Sequence, residues 1–318
     1  MNRILEHGKF ILAALWLTAF PGTLCAAEPP RVSFEPKDGQ LRITIGQRPF
    51  GTYVWKDEQI HRPYFCYLYS PRGVQVTRNH PPIEGQDSMD HADFHPGLWL
   101  SFGDLSGSDF WRNQARTGFA EFVQPPRGSA GRGEFAVQNH YLANDQKLVC
   151  QEICHYTIMV RPAGYYLLIQ SRFTCDQEFA FGDQEEMGLG VRVNTAMAVQ
   201  KGGQILNSDG LINEKEVWGR TASWCDYSGM VDGVPVGVTL MPAPGNFRPS
   251  WFHARDYGLL AANPFGRNAF TQLEKSRVNV APGTEFQLAF GVFIHDTTPL
   301  DHSALDAAYQ EFLSFIKY

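Results

Sequence analysis

The sequence predicts an all-β fold, a large antiparallel β-sandwich with one helix at its C-terminus. Three observations lead to this prediction. Short strand-like segments follow one another at close spacing, and Gly and Pro residues are spread along the whole chain. The strand–helix–strand alternation that builds parallel sheets is not visible. Only the segment that begins at Ser303 has the periodicity of a helix.

The predicted strands are short runs rich in β-branched and aromatic residues, bounded by turn residues. Arg161-Pro162-Ala163-Gly164 predicts a turn between two long strands, because proline fixes one dihedral and glycine permits positive φ. Pro282-Gly283 predicts a second hairpin for the same reason. The predicted strands are Arg42–Ile45, Thr52–Trp55, Tyr64–Tyr69, Val74–Thr77, Glu134–Tyr141, Leu148–Val160, Tyr165–Phe173, Gly188–Asn194, Gly219–Tyr227, Pro235–Met241 and Val278–Ile294.

The segment Ser303–Lys317 predicts a helix that packs on a sheet. Ser303 is the predicted N-cap, and Asp306 in the first turn suits the helix dipole. We expect a structural role rather than a catalytic one. The apolar stripe at helical spacing consists of Leu305, Ala308, Tyr309, Phe312 and Ile316.

The first 27 residues predict a signal peptide. Arg3 and Lys9 give a positive start, and the apolar run that follows is too short to span a bilayer comfortably. Cys25-Ala26-Ala27 supplies small residues for cleavage after Ala27. Lipoprotein processing at Cys25 and an uncleaved anchor are the alternatives. We expect residues 28–318 to form one sandwich domain, periplasmic or secreted, with no membrane insertion after cleavage.

The net charge and the number of cysteines limit the classes of protein to which the chain can belong. The formal net charge is −6 at pH 7, and loss of residues 1–27 removes Arg3, Lys9 and Glu6 and makes it −7. Such a chain has no basic surface for nucleic acid. The mature chain keeps an odd number of cysteines, so at least one is unpaired within it. Cys150 and Cys154 lie in an apolar strand-like run, which favours buried thiols or one disulfide over a metal-binding pair.

The densest chemistry lies in Asp87–Trp111, where histidines and carboxylates alternate with aromatic rings. Imidazoles and carboxylates serve as general acids, general bases and metal ligands, and flat rings such as Trp99 and Trp111 offer a platform for a ring-shaped ligand. His91 and His95 have the spacing of two ligands on one helical face. Pro96 disfavours a helical conformation at His95, so we expect a loop.

Three interpretations of this histidine pair stay open. In the first, one histidine is a general acid or base that an aspartate orients. In the second, His91 and His95 bind a divalent metal together with Asp90 or His253. In the third, both are loop histidines that hydrogen-bond the backbone.

The segment Trp251–Gly266 has a similar mixture of residues. His253 and Arg255 are two apart, so they face the same side of an extended segment. The guanidinium of Arg255 can fork onto sugar hydroxyls or pair with a neighbouring carboxylate. Asn263 either reaches the site or caps a turn. Because this segment resembles Asp87–Trp111 in composition, we predict that folding brings the two segments together in a single cleft.

Two further segments contribute candidates. Glu186 precedes Gly188, and of two adjacent glutamates only one should enter the cleft; the alternative is an acidic loop. Trp218, Trp224 and Asp226 are even-numbered members of a segment that, if extended, places them on one face. Aromatic rings beside polar anchors are typical of a sugar subsite, and a tryptophan packed on the sheet exterior is the alternative.

Several catalytic motifs are missing from the sequence. It has no GxSxG nucleophile elbow, no GxxxxGK[ST] phosphate loop, no GxGxxG dinucleotide fingerprint and no HExxH zinc helix. Readings as a serine hydrolase, a nucleotide-dependent enzyme or a zincin therefore lose support.

Four segments carry a family resemblance: RPYFCYLYSPRGVQVTRNHPP, DHADFHPGLWLSFGDLSGSDFW, VWGRTASWCDYSG and WFHARDYGLLAANPFG. They resemble the motifs of the family named PmoA, also called DUF6807, from about Arg62 to His295. The resemblance implies a sandwich of the galactose mutarotase type. Many members resemble DHPHHKG where this chain has DHADFHPG, so His91 matches the first histidine and His95 a later one. The resemblance also favours Glu186, which would act as a carboxylate base opposite a histidine acid.

The family name suggests a methane oxygenase, but the membrane-bound oxygenase has several spanning helices, and no segment after residue 27 is long and apolar enough for one. We therefore predict an exported carbohydrate-active enzyme that hydrolyses, eliminates or epimerises a sugar by acid–base chemistry. A non-catalytic glycan-binding protein and a metal-dependent oxidase are the alternatives. The ligand is a carbohydrate or glycoside; no cofactor is expected, and a divalent metal on His91, His95 and Asp90 is the alternative. The predicted catalytic residues are His91, His95, His253 and Glu186, and the predicted substrate-binding residues are Arg192, Arg255, Trp99, Trp111, Trp218, Trp224, Asp226 and Asn263.

Overall fold

The structure is a computed structural model that describes residues 28–296 and 302–316, so the predicted signal peptide at residues 1–27 lies outside the described part. The strands are β1 (Val32–Lys37), β2 (Gln40–Ile45), β3 (Arg48–Val54), β4 (Tyr64–Cys66), β5 (Leu98–Phe102), β6 (Arg116–Ser129), β7 (Arg132–Leu142), β8 (Leu148–Arg161), β9 (Gly164–Thr174), β10 (Phe179–Phe181), β11 (Met187–Arg192), β12 (Gln204–Asn207), β13 (Cys225–Val231), β14 (Val234–Pro242), β15 (Trp251–Arg255), β16 (Leu259–Asn263), β17 (Val278–Val280) and β18 (Phe286–His295). The α-helices are α1 (Asn213–Val217), α2 (Arg267–Thr271) and α3 (His302–Phe315).

The strands form two large antiparallel sheets and one small pair. The first sheet has the order β1-β2-β3-β4-β5-β11-β16-β15, and the second has the order β12-β13-β14-β18-β9-β8-β7-β6. Strands β10 and β17 pair separately. The predicted antiparallel β-sandwich with a C-terminal helix is confirmed. Among the described residues, no helix combines the length and the apolar character needed to cross a membrane.

The main core lies between the inner faces of the two sheets. In the first sheet, Leu98, Val191 and Leu260 form one cross-strand row, and all three side chains are buried. Tyr156 and Ile169 are paired across β8 and β9 of the second sheet and belong to the same cluster. Because side chains alternate along a strand, the residues between these face outwards, and in the first sheet they form the candidate site.

Helix α3 covers part of the outer face of the second sheet. Its contact is close, because a Cβ built on Gly291 of β18 would lie 2.6 Å from the ring of Phe312. The helix begins at His302, so Ser303 lies in its first turn and is not the N-cap as predicted. The predicted apolar stripe is confirmed by the burial of Leu305, Ala308, Tyr309, Phe312 and Ile316.

Turn chemistry predicted one hairpin correctly and one wrongly. Arg161 pairs with Gly164, so β8 and β9 form the expected hairpin. The Pro282-Gly283 hairpin is wrong, because β17 pairs with β10, whereas β18 lies between β9 and β14. The amide of Gly283 donates to the carbonyl of Cys175 at 2.8 Å, which attaches this turn to the chain just before β10.

Strand β6 was missed because it contains Pro125 and Pro126, which cannot donate to a sheet ladder. Its position explains why they are tolerated: β6 is the last strand of the second sheet, where one side of the ladder has no partner strand in the part of the chain that the structure describes.

The cysteines of the described residues are free thiols. Cys150 and Cys154 lie on the inner face of β8 and are fully buried, as predicted for core thiols. Burial raises the pKa of the Cys154 thiol well above its ordinary value, with a further contribution from Glu152. These thiols therefore act as small apolar groups.

Candidate functional site

The candidate site is built on the outer face of the first sheet, and we call it the first-sheet site. Trp99, Gly190, Ala261 and His253 form one row across β5, β11, β16 and β15. A Cβ built on Gly190 would lie 2.6 Å from the ring of Trp111 and 2.9 Å from that of Trp99. Glycine is required there because the two indoles occupy the space above the sheet.

Both indoles are buried, with 2 % of Trp99 and none of Trp111 exposed. Their ring centroids are 5.1 Å apart at 69°, an edge-to-face contact. They were predicted to stack on a sugar. In the structure they form the floor beneath the His91–His95 loop and do not face a ligand, which corrects that prediction.

A buried arginine holds the His91–His95 loop in place. Arg78 donates from Nη1 to the carbonyls of Ser88 at 2.8 Å and Asp90 at 2.6 Å, and from Nη2 to the carbonyl of His95 at 3.0 Å. The amide of His95 donates to the carbonyl of His91 at 3.0 Å, which closes a turn. Burial, together with the charge of Arg192, lowers the pKa of Arg78 to about 10, so it stays charged at neutral pH.

Asp90 and His91 form an oriented pair at the surface of this loop. Nδ1 of His91 lies 2.8 Å from Oδ2 of Asp90, and Oδ1 of Asp90 accepts from Nη2 of Arg192 at 2.8 Å. Burial alone would raise the pKa of Asp90, but the hydrogen bonds from His91 and Arg192 outweigh it and lower that pKa. A charged Asp90 therefore fixes the proton of a neutral His91 on Nδ1.

The other nitrogen of His91 is available. The side chain of His91 is 39 % exposed, and within residues 28–296 and 302–316 its Nε2 makes no hydrogen bond. The ring lies nearly parallel to that of Tyr257, at 5.8 Å and 22°. The guanidinium of Arg192 lies 4.5 Å from the centre of the same Tyr257 ring. Stacking and the bond to Asp90 thus orient one free proton acceptor beside an aromatic ring.

His95 is an interior residue. Its ring is fully buried and stacks on Trp99 at 5.0 Å and 20°, and its Nε2 accepts from Nε1 of Trp111 at 3.4 Å. Burial first, then the charge on His91, lowers its pKa well below the ordinary value. His95 is therefore neutral and supports His91 from below, since their ring centroids are 4.9 Å apart. Its predicted roles as a catalytic or metal-binding residue do not fit this position.

Glu186 lies just before β11 and forms an ion pair with Arg112, which also donates to Asp109 at 2.9 Å. Only 8 % of Glu186 is exposed. Burial raises the pKa of Glu186, and the charge of Arg112 opposes that rise. A positive charge on His91 would also lower this pKa. Glu186 lies directly before β11, the strand that carries Gly190 beneath the two indoles, so it lies at the margin of the first-sheet site.

His253 has both ring nitrogens in use. Its Nε2 accepts from Nε of Arg255 at 2.9 Å, and its Nδ1 lies 3.2 Å from the carbonyl oxygen of Glu185. Burial and then the charge of Arg255 lower the pKa of His253 to about 3, which keeps the ring neutral. No ring nitrogen is left to exchange a proton with a ligand. His253 is a positioning residue for Arg255, which corrects the prediction of an acid or base.

Arg255 reaches into the site as a paired cation. Nη1 donates to Oε1 of Glu214 at 2.8 Å, and Nη2 lies 3.7 Å from Oε2 of Glu185. Its guanidinium lies 5.8 Å from the ring centre of Trp218, which places that predicted aromatic at the edge of the site. The Arg255 side chain is 29 % exposed, so its outer edge can still meet a ligand.

Two other predicted ligand contacts have internal roles. Asn263 donates from Nδ2 to the carbonyls of Gln184 at 2.7 Å and Glu185 at 3.1 Å. Its Oδ1 accepts from the amides of Phe265 at 2.7 Å and Gly266 at 3.0 Å, so it caps the turn and has no capacity left. Arg192, only 1 % exposed, holds Asp90 and does not face solvent.

Trp224 and Asp226 are not part of the first-sheet site. Trp224 is buried under α3, where its Nε1 donates to Oδ1 of Asp306 at 2.8 Å. Asp226 accepts from Thr239 at 2.7 Å and lies 3.0 Å from Nε2 of His295. Asp226 lies on β13 of the second sheet, and Trp224 comes directly before that strand. The prediction failed because the segment before β13 is not extended, so even numbering does not place Trp218 on their face.

Several residues of the site escaped prediction. Arg78 and Arg62 lie in the segment RPYFCYLYSPRGVQVTRNHPP, and an arginine among strand residues was the available signal. Arg62 donates to the carbonyl of Trp111 at 2.7 Å and lies 5.3 Å from the ring centre of Trp99. Tyr257 lies in the segment Trp251–Gly266, which was singled out, but it was not itself named as a site residue.

Each of the predicted metal ligands Asp90, His91 and His95 already makes at least one contact within the protein. Asp90 and His91 bond to each other, and the Nε2 of His95 faces Trp111. Within the described ranges, no group of three or more His, Cys, Asp or Glu side chains is arranged to hold a metal ion.

Comparisons with solved structures give distant matches. An α-galactosidase from Lactobacillus brevis matches with a TM-score of 0.44 and 8 % identity, over 83 % of this chain and 39 % of the galactosidase. A galactose mutarotase-like protein from Lactobacillus casei matches with a TM-score of 0.35 and 11 % identity, over 83 % of this chain and 100 % of the mutarotase-like protein. A galactose 1-epimerase from Lactobacillus acidophilus matches with a TM-score of 0.39 and 9 % identity, over 84 % of this chain and 98 % of the epimerase. The chain thus spans about two fifths of the α-galactosidase, and at these scores no function follows from the likeness.

Sequence comparison identifies the family. No curated protein sequence matches the chain. A family model described as a family of unknown function, DUF6807, matches residues 40–310, which include the four segments that carry the resemblance and every residue of the first-sheet site. The chain belongs to the DUF6807 family.

Proposed function

We propose that this chain is an exported carbohydrate-active enzyme in which His91 transfers a proton at a sugar ring. The observation that carries the proposal is the Asp90–His91 pair, a 2.8 Å contact that leaves Nε2 of His91 free at an exposed position. A carboxylate behind an imidazole fixes its tautomer and stabilises the imidazolium that forms when Nε2 takes up a proton. The export part of the proposal rests on the signal peptide predicted at residues 1–27.

A second proton carrier supports acid–base chemistry. Burial raises the pKa of Glu186, so this carboxyl holds its proton more tightly than an exposed glutamate would. Hydrolysis, elimination and epimerisation of a sugar each need one group that accepts a proton and one that donates it. His91 and Glu186 fill these two roles, and the ion pair with Arg112 limits the rise in the pKa of Glu186.

The surroundings of His91 suit a neutral, polyhydroxylated ligand. Tyr257 beside His91 and Trp218 at the edge of the site are half-buried aromatic residues, a type that commonly lines ligand sites. Arg255 and Glu214 are paired with each other at 2.8 Å, and about a third of each side chain is exposed. Such a pair presents fork-shaped donors and acceptors to hydroxyl groups without favouring a charged ligand.

A glycan-binding protein without catalysis is the rival. The observation that favours it is the ion pair of Glu186 with Arg112, which engages the second carboxylate. Both functions predict binding, and they differ in turnover and in the role of His91.

The test is a turnover assay on a panel of neutral glycosides and free aldoses, with products followed by chromatography and anomeric exchange followed by NMR. The variants are His91→Asn and, as a matched control, His140→Asn on β7 of the second sheet. The enzyme proposal predicts that His91→Asn retains binding and loses turnover about 10²–10⁴-fold, while the control is unchanged. If the wild-type protein binds a glycan and turns over none of the panel, the enzyme proposal fails and the binding protein stands.

A further inference from the structure

A second concave surface lies on the far side of the molecule, on the outer face of the second sheet. It is a groove of about 450 Å³, a size typical of small-ligand sites, and we call it the second-sheet groove. It crosses five neighbouring strands, β6, β7, β8, β9 and β18. Four inter-strand spacings of about 4.8 Å give the groove a length of roughly 19 Å. Its polar lining includes Gln124, Arg132, Glu134, His155, Gln170 and Gln287.

The middle of the groove has polar groups with unused hydrogen-bonding capacity. His155 of β8 and Gln170 of β9 are directly opposite each other across the ladder, and both are half-buried. Neither side chain makes a hydrogen bond to another residue of the described part of the chain. Burial, reinforced by the charge of Arg172, lowers the pKa of His155, so the ring is neutral and has one donor and one acceptor. A planar amide and a neutral imidazole side by side match the alternating donors and acceptors of sugar hydroxyls.

The charges along the groove are already balanced. Arg132 donates from Nη2 to Oε2 of Glu134 at 2.9 Å, and Gln124 donates to Oε1 of the same carboxylate at 3.1 Å. Arg172 lies 3.8 Å from Glu285. An anionic ligand would have to break these pairs, whereas a neutral ligand leaves them intact and uses their outer lone pairs and N–H groups.

One wall of the groove is held rigid. Asn246, in the connection after β14, donates to the carbonyl of Ala289 at 2.9 Å and accepts from the amide of Ala289 at 2.7 Å. These two bonds attach that connection to β18. A wall that is already in place lowers the entropic cost of binding.

We infer that the second-sheet groove binds a neutral oligosaccharide, at a site separate from the first-sheet site. The length of the groove suits several sugar units in an extended chain. A protein with this groove holds a polysaccharide on one face while the opposite face acts on a sugar.

The test is calorimetric titration of the chain with maltohexaose, cellohexaose, xylohexaose and mannohexaose, and with hexagalacturonate as the acidic comparison. Gln170→Leu removes the central amide, and because this amide has no partner in the described structure, the fold should tolerate the change. The matched control is Gln151→Leu, on the same face of β8 but outside the groove, where the side chain bonds to Gln138 at 3.1 Å.

We expect at least one neutral hexaose to bind, with affinity about tenfold weaker in Gln170→Leu and unchanged in Gln151→Leu. Tighter binding of hexagalacturonate than of every neutral hexaose would overturn the assignment of a neutral ligand. Absence of binding by all four neutral hexaoses at millimolar concentration would overturn the groove as an oligosaccharide site. So would binding that Gln170→Leu leaves intact. These results are independent of whether the first-sheet site turns over a sugar.

Discussion

The replacement Asp90→Asn tests the pair on which the proposed chemistry depends. The change keeps the size of the side chain and keeps one oxygen that can accept from Arg192. The other position becomes an amide that donates, so His91 must turn its Nδ1 lone pair towards it. The proton then moves to Nε2, and the free nitrogen that was an acceptor becomes a donor.

The cost to stability should be small. Asp90 makes two charge-assisted contacts of 2.8 Å, to His91 and Arg192, but its side chain is 38 % exposed, so solvent screens both. Exchanging a carboxylate for an amide at the Arg192 contact should lower the free energy of unfolding by about 1 kcal/mol. Turnover should fall far more, by roughly 10²–10⁴-fold, because the proton acceptor is lost.

The assay measures kcat and KM on the best substrate of the glycoside panel, beside urea denaturation of both proteins. Asp90→Ala is the companion variant, since it removes the carboxylate without supplying a donor to His91. We expect Asp90→Ala to lose less activity than Asp90→Asn, even though it removes more contacts. Turnover of Asp90→Asn within threefold of the wild type would refute the role given to this pair.

The remaining predictions concern stability and ligand contacts. Gly190→Ala should lower the free energy of unfolding by roughly 1–3 kcal/mol, measured by denaturation, because the added methyl overlaps the ring of Trp111; an unchanged midpoint would contradict the packing. Burial raises the pKa of Glu152, so the folded state holds this proton more tightly than the unfolded chain and stability should fall as pH rises above about 4.5; Glu152→Gln should flatten that slope in denaturation at several pH values, and an unaltered slope would refute it. Trp224→Phe should cost about 1 kcal/mol of stability and leave turnover unchanged, whereas Trp218→Ala should raise KM; the opposite pattern would return Trp224 to the site.

Local patterns were sufficient for much of the fold. The turn at Arg161–Gly164 and the stripe of α3 depend on interactions within a few residues, so sequence alone predicted them. The partner of β17 is chosen by a contact between Gly283 and Cys175, which are 108 positions apart, and no local pattern encodes such a choice.

The candidate site, like the fold, was predictable from the sequence only in part. The sequence identified the segments that carry His91, Glu186 and Arg255, because imidazole and carboxylate groups among aromatic residues can be recognised without knowledge of the fold. It could not separate a free nitrogen from a bonded one. His253 looked equivalent to His91 until the structure showed that its Nε2 accepts from Arg255.

The position of Trp224 shows a second limit of prediction from sequence. Alternation of side chains holds only inside a strand, and β13 begins at Cys225, one residue after Trp224. The residues before it follow a path set by α1, which ends at Val217, and this path takes Trp218 to the first-sheet site and Trp224 under α3.

The central claim is that Nε2 of His91 meets the reacting atom of a sugar. The most direct measurement is a crystal structure of the His91→Asn variant with a glycoside that the wild-type protein turns over. The account predicts the sugar on the first-sheet site, beside Tyr257, with the oxygen or carbon-bound proton that reacts within about 3 Å of the residue 91 side chain. A sugar bound with its reacting atom far from residue 91 and against another titratable group would contradict the account.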